Sequence, residues 1–251
     1  MNRRPRALAS LLIVIVLAVG ACGGSAPALS NPGEILTKAV ESLQKAKSLH
    51  LEASLDGTAK VDLLGTGKAT DLALTGTSLE ADVDLVGGNA HLNLSVPAML
   101  GLTAEVITVG TDTWTKTSFS GEKFQKGTAA DSGLPVDTTD PQQALKDLAE
   151  WLARPEVDPK KLDDASCGTK RCYQVQIDLS AEDIKALIPE AADMAAGSMV
   201  LTILVEKDTL RPVSVAADLA GTDLGELTLD LSLSKWDESL SITAPPADQV
   251  E

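Results

Sequence analysis

Ile35, Leu36, Ala39, Val40, Leu43 and Ala46 recur at intervals of one, three and four, which lays a single apolar stripe along a helix. Asn31-Pro32-Gly33-Glu34 stands before them and supplies a capping side chain, a proline at the first helical position and a glutamate three residues past the cap. The pattern predicts a first helix from there to about residue 47. From Leu49 the period drops to two: Leu49, Leu51, Ala53 and Leu55 alternate with His50, Glu52, Ser54 and Asp56, as in a strand buried on one side. The alternation recurs in Leu72 and Leu74, in Leu79, Ala81, Val83 and Leu85, and in Ala90, Leu92, Leu94 and Val96. Gly57, Gly65, Gly67, Gly76 and Gly87-Gly88 read as turns or bulges among these runs. Two short strands are expected over residues 105–109 and 113–116, followed by a loop holding Phe119, Lys123, Phe124 and Lys126.

Asp140-Pro141 repeats the cap-and-proline start, and Ala144, Leu145, Leu148, Ala149 and Leu152 share a face before Arg154-Pro155 ends this second helix. Tyr173, Val175, Ile177 and Leu179 alternate as a strand. Ser180 then caps a third helix carrying Ile184, Leu187 and Ile188, which Pro189 splits from a continuation over residues 191–196. Strands return over residues 200–206, 213–219 and 227–233, and residues 241–244 are expected to add a last short one. This order predicts an α+β fold: a large antiparallel sheet of about ten strands with three helices packed on one side.

Composition bears on what lines the interior. Hydrophobic residues make up 44% of the 251 positions but aromatic ones only 2%, so the interior is aliphatic and stacking platforms are scarce. The formal net charge is −15, and loss of residues 1–21 with Arg3, Arg4 and Arg6 removes three positive charges to leave −18. Such a surface repels polyanions, which excludes nucleic acid as a partner.

Residues 1–6 carry three arginines and residues 7–21 carry no charge, the order of an export signal. The apolar run is too short for a membrane span, which needs roughly 20 such residues. It ends in Val19-Gly20-Ala21-Cys22, which resembles a bacterial lipobox. That resemblance implies a signal peptide over residues 1–21, cleavage after Ala21, and lipidation of Cys22. The mature chain would then sit on the extracytoplasmic side of the cell membrane, held by its acyl chains. Residues 22–31 are small and turn-prone, a flexible tether, and residues 32–251 are expected to form one domain. Cys167 and Cys172, an even pair in an exported chain, are expected to form a disulfide.

Catalytic signatures are missing. There is no G-x-S-x-G elbow, no H-E-x-x-H and no P-loop, and with 36 Asp plus Glu some close carboxylate pairs arise by chance. His50 and His91 read as surface residues on the outward side of strands, and no metal, cofactor or enzymatic activity is expected. What remains is a surplus of apolar surface. Three short helices cover so wide a sheet thinly, which leaves either a solid core or a gap suited to alkyl chains.

The lipobox, the capped first helix running into residues 49–55, and the Val109-Gly110-Thr111-Asp112-Thr113-Trp114-Thr115-Lys116 strand pair form one set of motifs. Cys172-Tyr173-Gln174-Val175 followed by Ser180-Ala181-Glu182-Asp183, and the closing Trp236 with Ile242-Thr243-Ala244-Pro245, form another. Together they resemble the LppX/LprAFG lipoproteins of mycobacteria and relatives, over nearly the whole mature chain. The resemblance implies a curved, half-barrel antiparallel sheet with helices on its concave face around a hydrophobic cavity, similar to the Lol lipoprotein carriers. It further implies binding of acylated lipids or lipoglycans and their carriage across the envelope, with an envelope transporter as a candidate partner. The scarcity of aromatics and the cysteine hairpin depart from the pattern. On this reading Leu51, Leu55, Leu74, Val83, Leu85, Leu92 and Leu94 line the cavity, with Leu145 and Leu148 as its lid. Trp114, Lys116, Lys123 and Lys126, gathered with Phe119 and Phe124, would meet phosphate headgroups at its mouth. The rival reading is a non-transporting interaction or stress-sensing module of the same fold.

Overall fold

The computed structural model describes residues 28–61, 70–128, 141–154, 157–187, 197–222 and 225–251. The chain divides into two units, Met1–Ser30 and Asn31–Glu251, and the fold is that of the second. The expected signal peptide, Cys22, and the tether up to residue 27 lie outside the described residues.

Helix α1 (Pro32–Lys45) starts as its sequence directs. The Asn31 side chain accepts a hydrogen bond from the Glu34 amide at 3.0 Å, satisfying a donor that the first turn leaves without a partner. Ile35, Leu36, Ala39 and Val40 are its buried stripe. The helix stops two residues short of the expected end because Ala46 is already extended. Strands β1 (Ser48–Val61), β2 (Thr70–Ala73), β3 (Thr77–Asp84), β4 (Asn89–Val96), β5 (Leu102–Val109), β6 (Asp112–Thr117) and β7 (Gln125–Gly127) follow. Helix α2 (Pro141–Leu152) leads into β8 (Lys160–Lys161), β9 (Ala165–Cys167) and β10 (Lys170–Leu179). Helix α3 (Ala181–Leu187) precedes β11 (Ser198–Glu206), β12 (Pro212–Thr222) and β13 (Gly225–Ser234). Asp140 and the Pro189 split lie outside the described residues.

The strands form one antiparallel sheet in the order β7-β6-β5-β4-β3-β1-β13-β12-β11-β10-β8, with β2 added to β1 and β9 to β10. The outer strands do not pair with each other, so the sheet is an open half-barrel. Among the described residues thirteen strands replace the expected ten or so, because β7, β8 and β9 are too short to show a period. Gly57 is not a turn. It lies inside β1 at φ +116°, where a Cβ would stand 2.1 Å from the Glu226 carbonyl oxygen, so glycine lets the β13 backbone come close. Residues 241–244 do not form the expected last strand. Past β13 the chain instead turns back: the Ser48 hydroxyl donates to the Glu238 carbonyl, and the Phe124 and Glu251 amides bond the Gln249 and Phe124 carbonyls. That path leaves residues 241–244 outside the strand ladder.

The expected disulfide is present: Cys167 and Cys172 are joined across the β9–β10 hairpin, with Gly168 at φ +65° in its turn. Ser180 caps α3 reciprocally. Its hydroxyl accepts from the Asp183 amide, while the Asp183 carboxylate accepts from the Ser180 hydroxyl and amide at 2.6 and 2.9 Å. Helices α1 and α3 both pack on β10 and β11, and α2 packs on α1. No helix among the described residues is long and apolar enough to cross a membrane.

Candidate functional site: a half-covered apolar face

Directly paired residues of an antiparallel sheet share a face, so register builds rows of side chains across the strands. One row runs from Val175 through Ile203, Val215, Leu231, Ala53, Leu79 and Leu94 to Ala104, on eight consecutive strands. A second joins Leu233, Leu51, Ala81, Leu92 and Val106. A third joins Ile177, Leu201, Ala217, Leu229 and Leu55. Leu51, Leu55, Val83, Leu92 and Leu94 therefore do share one aliphatic face.

Cover over this face is uneven. Under α1 and α3, Val175 is 0% exposed and Ile177 1%, whereas Leu229 in the same row as Ile177 is 37% exposed. Leu51, Leu55, Leu92, Leu94, Leu231 and Leu233 are only half-buried, with the smaller Ala81 and Val106 buried between them. One end of the face is shut. Leu43 of α1 and Ala46 just past its end meet Leu49, Leu85, Val83, Leu51, Leu233 and Trp236 in a single cluster where β1 begins. Leu85 belongs to that stopper and is buried in it, and Val83 flanks it. Leu74, just past β2, is half-buried, and its amide bonds the Gly57 carbonyl at 2.9 Å. Leu145 and Leu148 are half-buried on α2, a helix held chiefly by α1.

The expected mouth residues lie elsewhere. Val106 points to the aliphatic face, so Ile107 and its partner Trp114 point to the opposite one. There Ile107, Trp114 and Phe124 form a second small core with Val109, Ile242 and Val250. Lys116 pairs with Glu105 at 2.6 Å and stands 4.4 Å over the Phe124 ring, and Lys126 pairs with Asp112 at 2.8 Å beside Trp114. Lys123, Lys126 and Phe119 of that stretch are exposed, whereas Trp114 and Phe124 are buried and Lys116 is half-buried. The alternation rule missed this core because the C-terminal segment that covers it has no periodic pattern. The adjacent apolar pair Val106-Ile107 was the available signal, since it marks a strand covered on both sides.

His50 also departs from expectation. It is buried, with Nδ1 2.7 Å from Asp82 and Nε2 3.2 Å from Glu52. His91 meets Glu105 at 3.0 Å. Burial works against ionisation of Glu105, but hydrogen bonds from Lys116 and His91 outweigh it and hold the carboxyl below its usual range. Between this polar face and the C-terminal segment lies a pocket of about 360 Å³ lined by Asp82, His91, Glu105, Lys116 and Ile242. Among the described residues no three His, Cys, Asp or Glu are placed to hold a metal ion.

No family model matches the chain, and no curated protein matches it by sequence. Among solved structures, the lipoprotein LppX of Mycobacterium tuberculosis aligns at 17% identity over 85% of this chain and 100% of its own, with a TM-score of 0.54. LprF of Mycobacterium bovis aligns at 17% identity over 85% and 96%, with a TM-score of 0.56. A LolA-superfamily protein of Nitrosomonas europaea covers 88% of the chain at a TM-score of 0.27, which adds nothing to the comparison. Likeness at this identity is one of architecture, and the chain has the fold of the mycobacterial lipoproteins LppX and LprF.

Proposed function

We propose that this chain is a lipoprotein, anchored through Cys22 on the extracytoplasmic side of the membrane, that takes up the acyl chains of a lipid or lipoglycan and carries them across the envelope. The observation that carries the reading is the half-covered aliphatic face over β12, β13, β1, β3 and β4, on a sheet whose β10 residues Val175 and Ile177 are sealed under helices. An acyl chain of about 16 carbons costs on the order of 12 kcal/mol to expose to water, at about 0.8 kcal/mol per CH₂. A surface of Leu and Val removes most of that cost without fixing the cargo in place. The fold shared with LppX, itself a lipoprotein, supports the same reading.

Native mass spectrometry of the full-length chain, followed by solvent extraction, tests it. The expected result is a covalent diacylglycerol at Cys22 and a reproducible, non-covalent acyl lipid besides. Protein that is consistently free of the second species overturns the carrier reading and favours the interaction module.

A further inference from the structure

The half-covered face has an end opposite its stopper, and the turns there carry large apolar side chains into solvent. Val96 pairs with Leu102 at the last rung of β4 and β5, and residues 97–101 close the hairpin beyond it. Leu100 in that turn is 92% exposed, and Met99 beside it is exposed too. In the next turn at the same end, after β6, Phe119 is 63% exposed; the adjoining Ser118 amide bonds the Thr103 carbonyl at 2.9 Å, which sets the two turns side by side.

Leu100 is a poor choice for folding on two counts. Its φ is +55°, a left-handed conformation that suits glycine or asparagine and disfavours leucine, and its side chain is left in water. The turn is nonetheless well formed, with the Gly101 amide bonded to the Pro97 carbonyl at 3.0 Å and Leu102 to Met99 at 3.0 Å. Charge is also withheld here. In a chain of net charge −15, residues 92–104 and 117–121 contain no charged side chain, and Glu122 beyond them is followed by Lys123, so these two turns carry no net charge and can approach an anionic surface without net local repulsion. Exposed Leu, Met and Phe on ordered turns without net charge fit the boundary between headgroups and acyl chains in a bilayer.

We propose that this end of the half-barrel docks on a lipid bilayer, with Leu100, Met99 and Phe119 entering the interface as the contact through which acyl chains reach the aliphatic face. The role in transfer rests on the proposed function, whereas docking itself does not. Val86 supplies an internal control: it is 77% exposed but lies in the β3–β4 turn, at the stoppered end.

The full-length lipidated chain, reconstituted in phosphatidylcholine–phosphatidylglycerol vesicles, is labelled with an environment-sensitive dye at Leu100→Cys, Phe119→Cys or Val86→Cys. Cys167 and Cys172 are joined and do not compete for the label. Nitroxide-bearing lipids are expected to quench the dye at 100 and 119 at least fivefold more than at 86. Equal quenching at the three positions, or none, overturns docking. In a second measurement Leu100→Asn, which suits the turn, is combined with Phe119→Ser. Transfer of a fluorescent acyl lipid to acceptor vesicles should fall about tenfold, while Val86→Asn leaves it unchanged; an unchanged rate in the double variant overturns the role in transfer. A wild-type chain that holds no lipid but shows the quenching pattern removes the carrier reading and leaves docking standing.

Discussion

Leu92 and Ile177 face the same side of one sheet, yet Ile177 is sealed and Leu92 is half-buried. Substitution should separate them. Ile177→Ala is expected to lower stability by roughly 2–5 kcal/mol in urea unfolding, as cavity-forming core changes do. Leu92→Trp is expected to leave the unfolding midpoint almost unmoved and to abolish bound lipid by filling the space a fatty chain would use. A drop of about 1–3 kcal/mol for Leu92→Trp would mark it as an ordinary core residue under strain. At this scale alternation tells which side chains share a face, because strand periodicity is local. What lies over a face is decided by distant residues, and so the burial of Trp114 and of His50 is not legible in alternation: the C-terminal segment covers Trp114, and His50, on the outward side as expected, is enclosed with Asp82 of β3 and Glu52 of its own strand.

Elements were legible in proportion to their length and to the chemistry at their ends. Asn31 and Ser180 announced α1 and α3 because a cap is a bond between residues three apart, and the long strands announced themselves by repetition. Two-to-four-residue strands such as β8 and β9 exist only through their pairing with β10, which no local pattern encodes. The β9–β10 hairpin is one such element fixed covalently. Removing its bond with Cys167→Ala and Cys172→Ala together should cost about 2 kcal/mol by the loop-entropy relation for so short a loop. Thermal unfolding of the double variant checks this, and wild-type protein under reductant should shift alike.

For the molecule as a whole, the acidic surface sets a pH window. Lys207 and then Lys161 hold the Asp164 carboxyl below its usual range; Lys160 does so for Asp178, Ser180 for Asp183, and the Lys47 amide for Asp237. Each prefers its ionised form more in the fold than in the unfolded chain, so below the ordinary carboxylate range the unfolded state binds more protons. Their contribution is complete above about pH 5 and is lost as pH falls through about 4 and lower. These groups lie near the surface, where each contributes little singly. Urea midpoints should therefore be level between about pH 5 and 7 and decline together below about pH 4. A midpoint that rises on acidification would show that relief of self-repulsion outweighs these bonds.

The cluster of Leu43, Ala46, Leu49, Leu85 and Trp236 gives the face a floor. On the carrier reading that makes the molecule a bucket and not a pipe: what enters over the rim leaves over the rim. Copies set end to end would not form a conduit, and each delivery would require the loaded vessel to tip its open side from a donor to a receiver. On the same reading, the eight residues between a lipidated Cys22 and Asn31 would limit that swing to about 30 Å of leash.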